Sequence, residues 1–165
     1  MPTIALLNGH AFAGGLMLAM YHDYRIFNPT RGFLCLNELD FGASLKPPMS
    51  SIFREKVSAS VYRSLVLEAK RFGAKEALEG GLVDALGGLD EVLALVASRQ
   101  LVDKPKTGVY GLMKREMYRE TLGCLDGFEE SETRDAAELV ADDKRKQEGK
   151  ARIAEWESNN EKSKL

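Results

Sequence analysis

The sequence is poor in cysteine and has no excess of either charge. Its two cysteines, Cys35 and Cys124, lie far apart and neither belongs to a C-x-x-C pair, which leaves no basis for a disulfide framework or a zinc site. A formal net charge of -2 at pH 7 offers no basic face for nucleic acid. The uninterrupted apolar run over 11–21 is too short to cross a bilayer. We therefore expect a protein of a reducing compartment that binds neither nucleic acid nor membrane.

A secretory signal is also lacking. Residues 4–21 are largely apolar, but no basic segment precedes them, and Asn8 and His10 interrupt them. What the chain does have is the composition of a globular protein: 165 residues, of which 44% are hydrophobic and 29% charged. That length corresponds to about one domain.

The end of the chain carries a targeting signal. Ser163, Lys164 and Leu165 form the tripeptide that the peroxisomal import receptor recognises, and they follow the polar stretch ESNNEK. A chance match to this tripeptide at the last three positions has a frequency of roughly one in several thousand. We therefore predict a peroxisomal protein and the import receptor as a partner.

The predicted elements alternate as they do in α/β proteins. The first 36 residues predict a strand over 3–8, a helix from Gly14 or Gly15 to about His22, and strands over 24–27 and 32–36. This order indicates the α/β class. Since helices dominate afterwards, the sheet is short for a self-contained domain, and we expect further sequence upstream.

Helical patterns account for much of the remaining chain. They predict a helix over 47–56, a second that ends near Gly73, a third over 74–79, an extended piece over 82–86, and helical segments over 89–100 and 128–156. Pro47 and Pro48 suit a first helical turn because a missing N–H costs nothing there. Ser58 or Ser60 can cap the second helix. The last segment fits one long exposed helix or two shorter ones.

Glycine is concentrated in the stretch NGHAFAGGLMLAM, where a strand runs into a helix. This layout builds several kinds of anion site. The phosphate loop G-x-x-x-x-G-K-[ST] matches at Gly9 and Gly14, but the next two residues are neither lysine nor a hydroxyl. The dinucleotide pattern G-x-G-x-x-G fails because Ala11 stands at its second glycine. What remains is a backbone amide directed at a developing oxyanion, with Glu38, just past a predicted strand, as a candidate base.

Two stretches, PTIALLNGHAFAGGLMLAMYHDYRI and RGFLCLNELDFG, together resemble the crotonase, or enoyl-CoA hydratase/isomerase, superfamily. The later LVLEAKRFGAKEALEGGLVDAL is similar to a helical motif of the same family. Within the family, the chain most resembles the Δ3-Δ2-enoyl-CoA isomerases of peroxisomes. The resemblance implies the C-terminal part of a crotonase-like ββα superhelix over 1–100, a helical region over 101–160 and a targeting tail over 161–165, with the N-terminal part of the family domain missing.

Carried over residue by residue, the resemblance implies an active site with one carboxylate. The N–H of Gly14 matches an oxyanion donor to the thioester carbonyl, and Glu38 matches the single base of many isomerases. Met17 stands where hydratases of the family carry a second catalytic glutamate. The positions implied to contact the substrate are Ala13, Gly15, Met17, Phe33 and Leu36. Asp23 and Arg25 resemble a position that ties helix to strand, and we expect them to form a structural pair.

The identity of residue 17 separates two reactions. Hydration needs a water held between two carboxylates, whereas a double-bond shift needs one carboxylate that moves a proton, so Met17 favours isomerisation. We expect Glu38 to take a proton from C2 of a 3-enoyl-CoA and return it at C4, while Gly14 binds the dienolate oxygen. The expected pathway is fatty acid β-oxidation. No metal or cofactor is expected, because CoA is part of the substrate, and the resemblance implies a homo-oligomer, either a trimer or a hexamer.

Two other interpretations stay open at this point. The protein could be an enoyl-CoA hydratase of the same family. It could also be a non-catalytic, truncated crotonase-like protein that binds or regulates a full-length homologue.

Overall fold

The computed structural model describes residues 1–162 as two compact units, Met1–Asp126 and a second one that begins at Gly127. The strands of the first unit are β1 (Ile4–Leu7), β2 (Ala11–Phe12), β3 (Tyr24–Phe27), β4 (Leu34–Cys35) and β5 (Ala85–Leu86). Its helices are α1 (Gly14–Met20), α2 (Glu38–Phe41), α3 (Pro47–Lys56), α4 (Ala59–Leu67), α5 (Ala74–Glu79), α6 (Leu89–Ser98), α7 (Tyr110–Met117) and α8 (Arg119–Asp126), with a 3-10 turn at Lys104–Thr107. The predicted domain limits at residues 100 and 160 stay predictions.

Two parallel sheets organise the first unit. In the larger sheet the strand order is β1-β3-β5, with Ile4 aligned with Tyr24 and Ile26 aligned with Ala85. In the smaller sheet β2 pairs with β4. Parallel neighbours require a crossover connection, and α1 lies in the connection from β1 to β3. The predicted α/β class is confirmed.

The main hydrophobic core packs α1 and α3 against the strands. Leu16 and Met20 of α1, Ile52 and Phe53 of α3, and Phe27 of β3 are all buried in it. Leu16 and Met20 are four residues apart, the spacing of one face of a helix. A second, smaller cluster contains Ile26 of β3, Leu95 of α6 and Leu101, which follows α6.

Two predictions about α4 have different outcomes. The predicted cap is confirmed, since the side chain of Ser58 accepts a hydrogen bond from the N–H of Val61. The predicted end near Gly73 is wrong, because α4 ends at Leu67. Beyond it, Ala69 has a positive φ of 46°. The chain then turns so that Phe72 forms an antiparallel bridge with Leu34, through N···O distances of 3.0 and 2.8 Å.

The expected pair between Asp23 and Arg25 is not formed among the described residues. Arg25 binds Asp84 instead, because the parallel register of β3 and β5 brings Asp84 next to the main chain of Arg25. Asp23 binds Lys114, with 2.8 Å between Oδ1 and Nζ, and accepts hydrogen bonds from Thr3. Both residues are structural, but each has a partner far away in sequence.

The second unit is one continuous helix, α9 (Phe128–Lys162), of 35 residues. It is one long helix rather than two shorter ones, and its large apolar side chains Leu139, Val140, Ile153 and Trp156 are exposed. Within residues 1–162, no helix is both long enough and apolar enough to span a membrane. The predicted targeting tripeptide, Ser163 to Leu165, lies outside the described residues.

Candidate active site

The junction between β2 and α1 exposes a backbone amide. Ala13 connects the two elements with φ 48° and ψ -126°, a conformation that residues with a side chain rarely adopt. Its own N–H donates to the carbonyl of Cys35 at 2.9 Å, which fixes the turn against β4. The helix then begins at Gly14, whose N–H has no acceptor within the helix because it belongs to the first turn. Since Gly14 is exposed, this amide is accessible to a ligand.

The junction between β4 and α2 buries a carboxylate. Glu38 is the first residue of α2 and is 8% exposed. Its Oε2 atom is buried and has no hydrogen-bond partner within residues 1–162, and the same holds for Oδ1 of Asn37 beside it. Buried polar atoms are nearly always paired in folded proteins, and exceptions often have a functional cause. Glu55 is another carboxylate of the first unit with such an atom, but its Oε1 atom accepts the N–H of Thr121 and it does not lie at the sheet edge next to Gly14.

The small sheet brings these two junctions to one edge. In the parallel β2–β4 pair, Ala11 is aligned with Leu34 and Phe12 with Cys35. Adjacent strands lie about 4.8 Å apart, and parallel strands end at the same edge of a sheet. Gly14 follows β2 by two positions and Glu38 follows β4 by three. An amide donor and a buried carboxylate thus begin neighbouring helices at a common edge.

A mostly apolar cavity of about 200 Å³ adjoins Glu38. It is lined by Leu36, Glu38, Leu39, Ala43, Ser44, Leu45, Val66 and Leu67. The cavity is open to solvent, since Leu39 and Leu67 are exposed, and its apolar lining suits an apolar group next to a proton-transferring residue. Sequence reasoning identified Leu36 but missed Val66 and Leu67, because α4 is distant in sequence and its contact with this site leaves no local pattern.

The other residues predicted to contact substrate do not line this cavity. Met17 is 7% exposed and packs in the main core, while Gly15 is exposed beside Gly14. Phe33 is 44% exposed and packs against His10, with 5.8 Å between ring centroids. Their roles, like that of Ala13, stay predictions.

No set of three or more His, Cys, Asp or Glu residues in the described part of the chain could hold a metal ion. Cys35 is buried, and its thiol donates to the carbonyl of Ala69 at 3.1 Å. Burial raises the pKa of this thiol, with Asp40 acting in the same direction. The cysteine is thus a packing residue rather than a nucleophile.

Comparison with protein families identifies the fold. Residues 1–160 match the family described as enoyl-CoA hydratase/isomerase. The chain belongs to this family. Solved structures of its members have the same fold: an enoyl-CoA hydratase from Mycobacterium ulcerans matches with a TM-score of 0.64 and 23% identity, over 79% of this chain and 59% of that structure. The predicted crotonase-like fold is confirmed.

Curated family members include isomerases and a dehydratase. The chain is 39% identical to "Enoyl-CoA delta isomerase 2, peroxisomal" of Arabidopsis thaliana, over 76% of this chain and 55% of that protein. It is 33% identical to "Enoyl-CoA delta isomerase 3" of the same plant, over 76% of this chain and 56% of that protein. It is 30% identical to carnitinyl-CoA dehydratase of Escherichia coli K12, over 73% and 46% respectively. The chain spans about half the length of the curated relatives that it matches.

Proposed function

We propose that the protein is an enoyl-CoA isomerase, which converts a 3-enoyl-CoA to a 2-enoyl-CoA in peroxisomal fatty acid β-oxidation. The observation that carries this proposal is the buried carboxylate of Glu38, whose Oε2 atom has no partner within the described residues. It begins its helix at the sheet edge where Gly14 presents an accessible amide. Similarity to two proteins named as enoyl-CoA delta isomerases supports the same reaction.

In this mechanism the substrate keeps all of its atoms and only one proton moves. The thioester oxygen accepts a hydrogen bond from the N–H of Gly14, which makes the C2 proton more acidic. Glu38 removes that proton, and the electrons of the broken C–H bond enter a dienolate whose negative oxygen stays on Gly14. Glu38 then gives the proton to C4, so that the double bond lies between C2 and C3. In other enzymes, loss of one such donor costs about 2.7 to 4 kcal/mol of barrier reduction.

The single carboxylate is what favours isomerisation over hydration. A hydratase must activate a water as well as protonate carbon, which two carboxylates do together. Here Met17, on the buried face of α1, brings no acid to the site. The apolar lining beside Glu38 also suits the hydrocarbon part of the substrate.

The proposal also includes the protein's cellular location and its oligomeric state. The C-terminal Ser163, Lys164 and Leu165 match the peroxisomal address, and a relative at 39% identity is named peroxisomal. We infer that the import receptor binds this tripeptide and that the protein is a homo-oligomer. The reaction as proposed uses no cofactor, because the CoA thioester itself activates the carbon that loses its proton.

Replacing Glu38 by Gln tests the mechanism. The change keeps the shape of the side chain but removes its basicity, so conversion of a 3-enoyl-CoA should fall at least about 1,000-fold, within the range that general acid–base catalysis contributes. The matched control is Asp40→Asn, which changes an exposed carboxylate of the same helix and should keep the activity. Wild-type protein without isomerase turnover, or an E38Q variant with wild-type turnover, would contradict the proposal. Water addition to a 2-enoyl-CoA at a higher rate than isomerisation would indicate a hydratase.

A further inference from the structure

The C-terminal end of α1 is held by a lysine from another helix. Lys56 is the last residue of α3, and its Nζ atom donates to the carbonyl of Met20 at 2.5 Å and to that of His22 at 2.6 Å. Met20 is the final residue of α1 and is fully buried. Carbonyls at this end of a helix have no donors from within the helix and carry partial negative charge. The ammonium of Lys56 supplies a donor to each carbonyl and the opposite charge, and Nη1 of Arg25 also donates to the carbonyl of His22 at 3.1 Å.

A second bond links the same two helices. The hydroxyl of Tyr21 donates to the carbonyl of Pro48 at 2.8 Å, near the start of α3. The ring of Tyr118 lies 4.9 Å from Nζ of Lys56 and covers it on another side. The last turn of α1 is thus attached to α3 at two points, one at each end of α3.

The surroundings of Lys56 make its charge sensitive to pH. A cavity of about 690 Å³ has these charged and titratable neighbours in its lining: Asp23, Arg25, Glu55, Asp84, Lys114 and Tyr118. Burial lowers the pKa of Lys56 to about 8, and the positive charge of Arg25 acts in the same direction. Asp23 and Asp84 oppose this effect without cancelling it. The ammonium is therefore charged at neutral pH and loses its proton in the mildly alkaline range.

We propose that Lys56 is a positioning residue of the active site, which fixes the direction of α1 and so of the Gly14 N–H at its opposite end. This inference rests on the proposed isomerase function. The seven residues of α1 span roughly 10 Å, so a tilt of about 6° at Met20 displaces Gly14 by about 1 Å. A misplacement of that size can lower a rate about 100-fold. Lys56 lies at the far end of the helix and acts through α1 rather than on the substrate.

Activity and stability should then respond to alkaline pH in opposite directions. Loss of the charge on Lys56 weakens its bonds to the two carbonyls, so turnover should fall as the pH rises through about 8. The pKa of Lys56 is lower in the folded chain than its ordinary value of 10.5, so the unfolded chain binds more protons between these two values. The contribution of Lys56 to the free energy of unfolding must therefore increase with pH in this window. A residue with only a structural role would change turnover and stability in the same direction.

The test compares Lys56→Met, Lys56→Arg and the exposed control Lys75→Met in the full chain. Turnover of a 3-enoyl-CoA and the free energy of unfolding are measured between about pH 6.5 and 9.5, a range that brackets the pKa of Lys56, about 8. We expect K56M to lower kcat about 10- to 100-fold with little change in KM, because the loss concerns the transition state. K56R should keep most of kcat and lose the decline near pH 8, since arginine stays charged. K75M should behave as the wild type.

Hydrogen exchange of the amides in residues 14–20 provides a readout that does not need activity. K56M should exchange faster in this segment than wild type, and K75M should not. Unchanged exchange in K56M, unchanged kcat in K56M, or a decline near pH 8 that persists in K56R would each overturn the inference. If K56M does not fold, the pH profile of K56R decides. Absence of wild-type turnover would contradict the isomerase proposal, and the exchange comparison would still decide whether Lys56 holds α1.

Discussion

Arg25 and Asp84 form an ion pair between β3 and the residue that precedes β5. Nη2 of Arg25 lies 3.2 Å from Oδ2 of Asp84, and the same oxygen accepts the main-chain N–H of Arg25 at 2.8 Å. The guanidinium also donates through Nε to the carbonyl of Leu82 at 2.7 Å. Because Arg25 is only 5% exposed, this pair is a buried link between the strands rather than a surface contact.

Removing Asp84 should therefore destabilise the protein strongly. Burial lowers the pKa of Arg25, and Asp84 is the main charge that opposes this shift. An Asp84→Ala variant leaves a buried guanidinium without its ion-pair partner, a change that typically costs about 3 to 5 kcal/mol of unfolding free energy. Chemical denaturation measures the loss. The control is Glu79→Ala, which breaks an exposed pair with Lys75 and should cost less than about 1 kcal/mol. Equal losses in the two variants would refute the prediction.

The contribution of the Asp23–Lys114 contact to stability should decrease at acidic pH. Burial raises the pKa of Asp23, but hydrogen bonds from Lys114 and Thr3 outweigh it and lower the pKa below 3.8. A lowered pKa in the folded state means that the stabilisation is present above pH 3.8 and is lost as the pH falls through the folded-state value. At pH 7, Asp23→Asn should lose about 1.5 to 3 kcal/mol of unfolding free energy, the range for hydrogen bonds to charged groups. The difference from wild type should shrink in acid, and a difference independent of pH would contradict this account.

Glycine should be tolerated at position 13. Ala13 has φ 48° and ψ -126°, and a non-glycine residue in such a region costs about 1 to 3 kcal/mol. Glycine removes this strain but adds about 0.5 to 1 kcal/mol of chain entropy to the unfolded state. We expect Ala13→Gly to be neutral or to stabilise the protein by about 1 kcal/mol, and Ala13→Val to destabilise it, both measured by denaturant midpoints. An A13G variant that is clearly less stable than wild type would show that the turn is not strained.

Elements with a clear pattern could be predicted from the sequence, and short ones could not. The strand Tyr24–Phe27 and the helix Ala74–Glu79 have the predicted bounds, because apolar residues and glycines mark them locally. The strand Ala11–Phe12 and the helix Glu38–Phe41 have two and four residues, which is too short for any periodicity. The family resemblance implied a helical region over 101–160, but the bounds of the helices over 110–126 could not be predicted, since several of their apolar side chains, such as Leu112 and Met113, face solvent.

Part of the candidate site could be predicted from the sequence, and part could not. Gly14 and Glu38 were found through local stretches that resemble a family. The unpaired oxygen of Glu38 and the part of the cavity lined by Val66 and Leu67 could not be predicted, because local sequence does not connect α4 to α2. The contacts of Lys56 with Met20 and His22 join residues more than 30 positions apart and likewise leave no local signal.

The bridge between Leu34 and Phe72 has a consequence for the space beside Glu38. Its two main-chain bonds fasten the segment that follows α4 to the strand that precedes the base. They limit how far the end of α4, which carries Val66 and Leu67, can move away from Glu38. We therefore expect the cavity to adapt to ligands of different size by rotation of its leucine and valine side chains. Larger or smaller residues at positions 66 and 67 should then change which ligands fit.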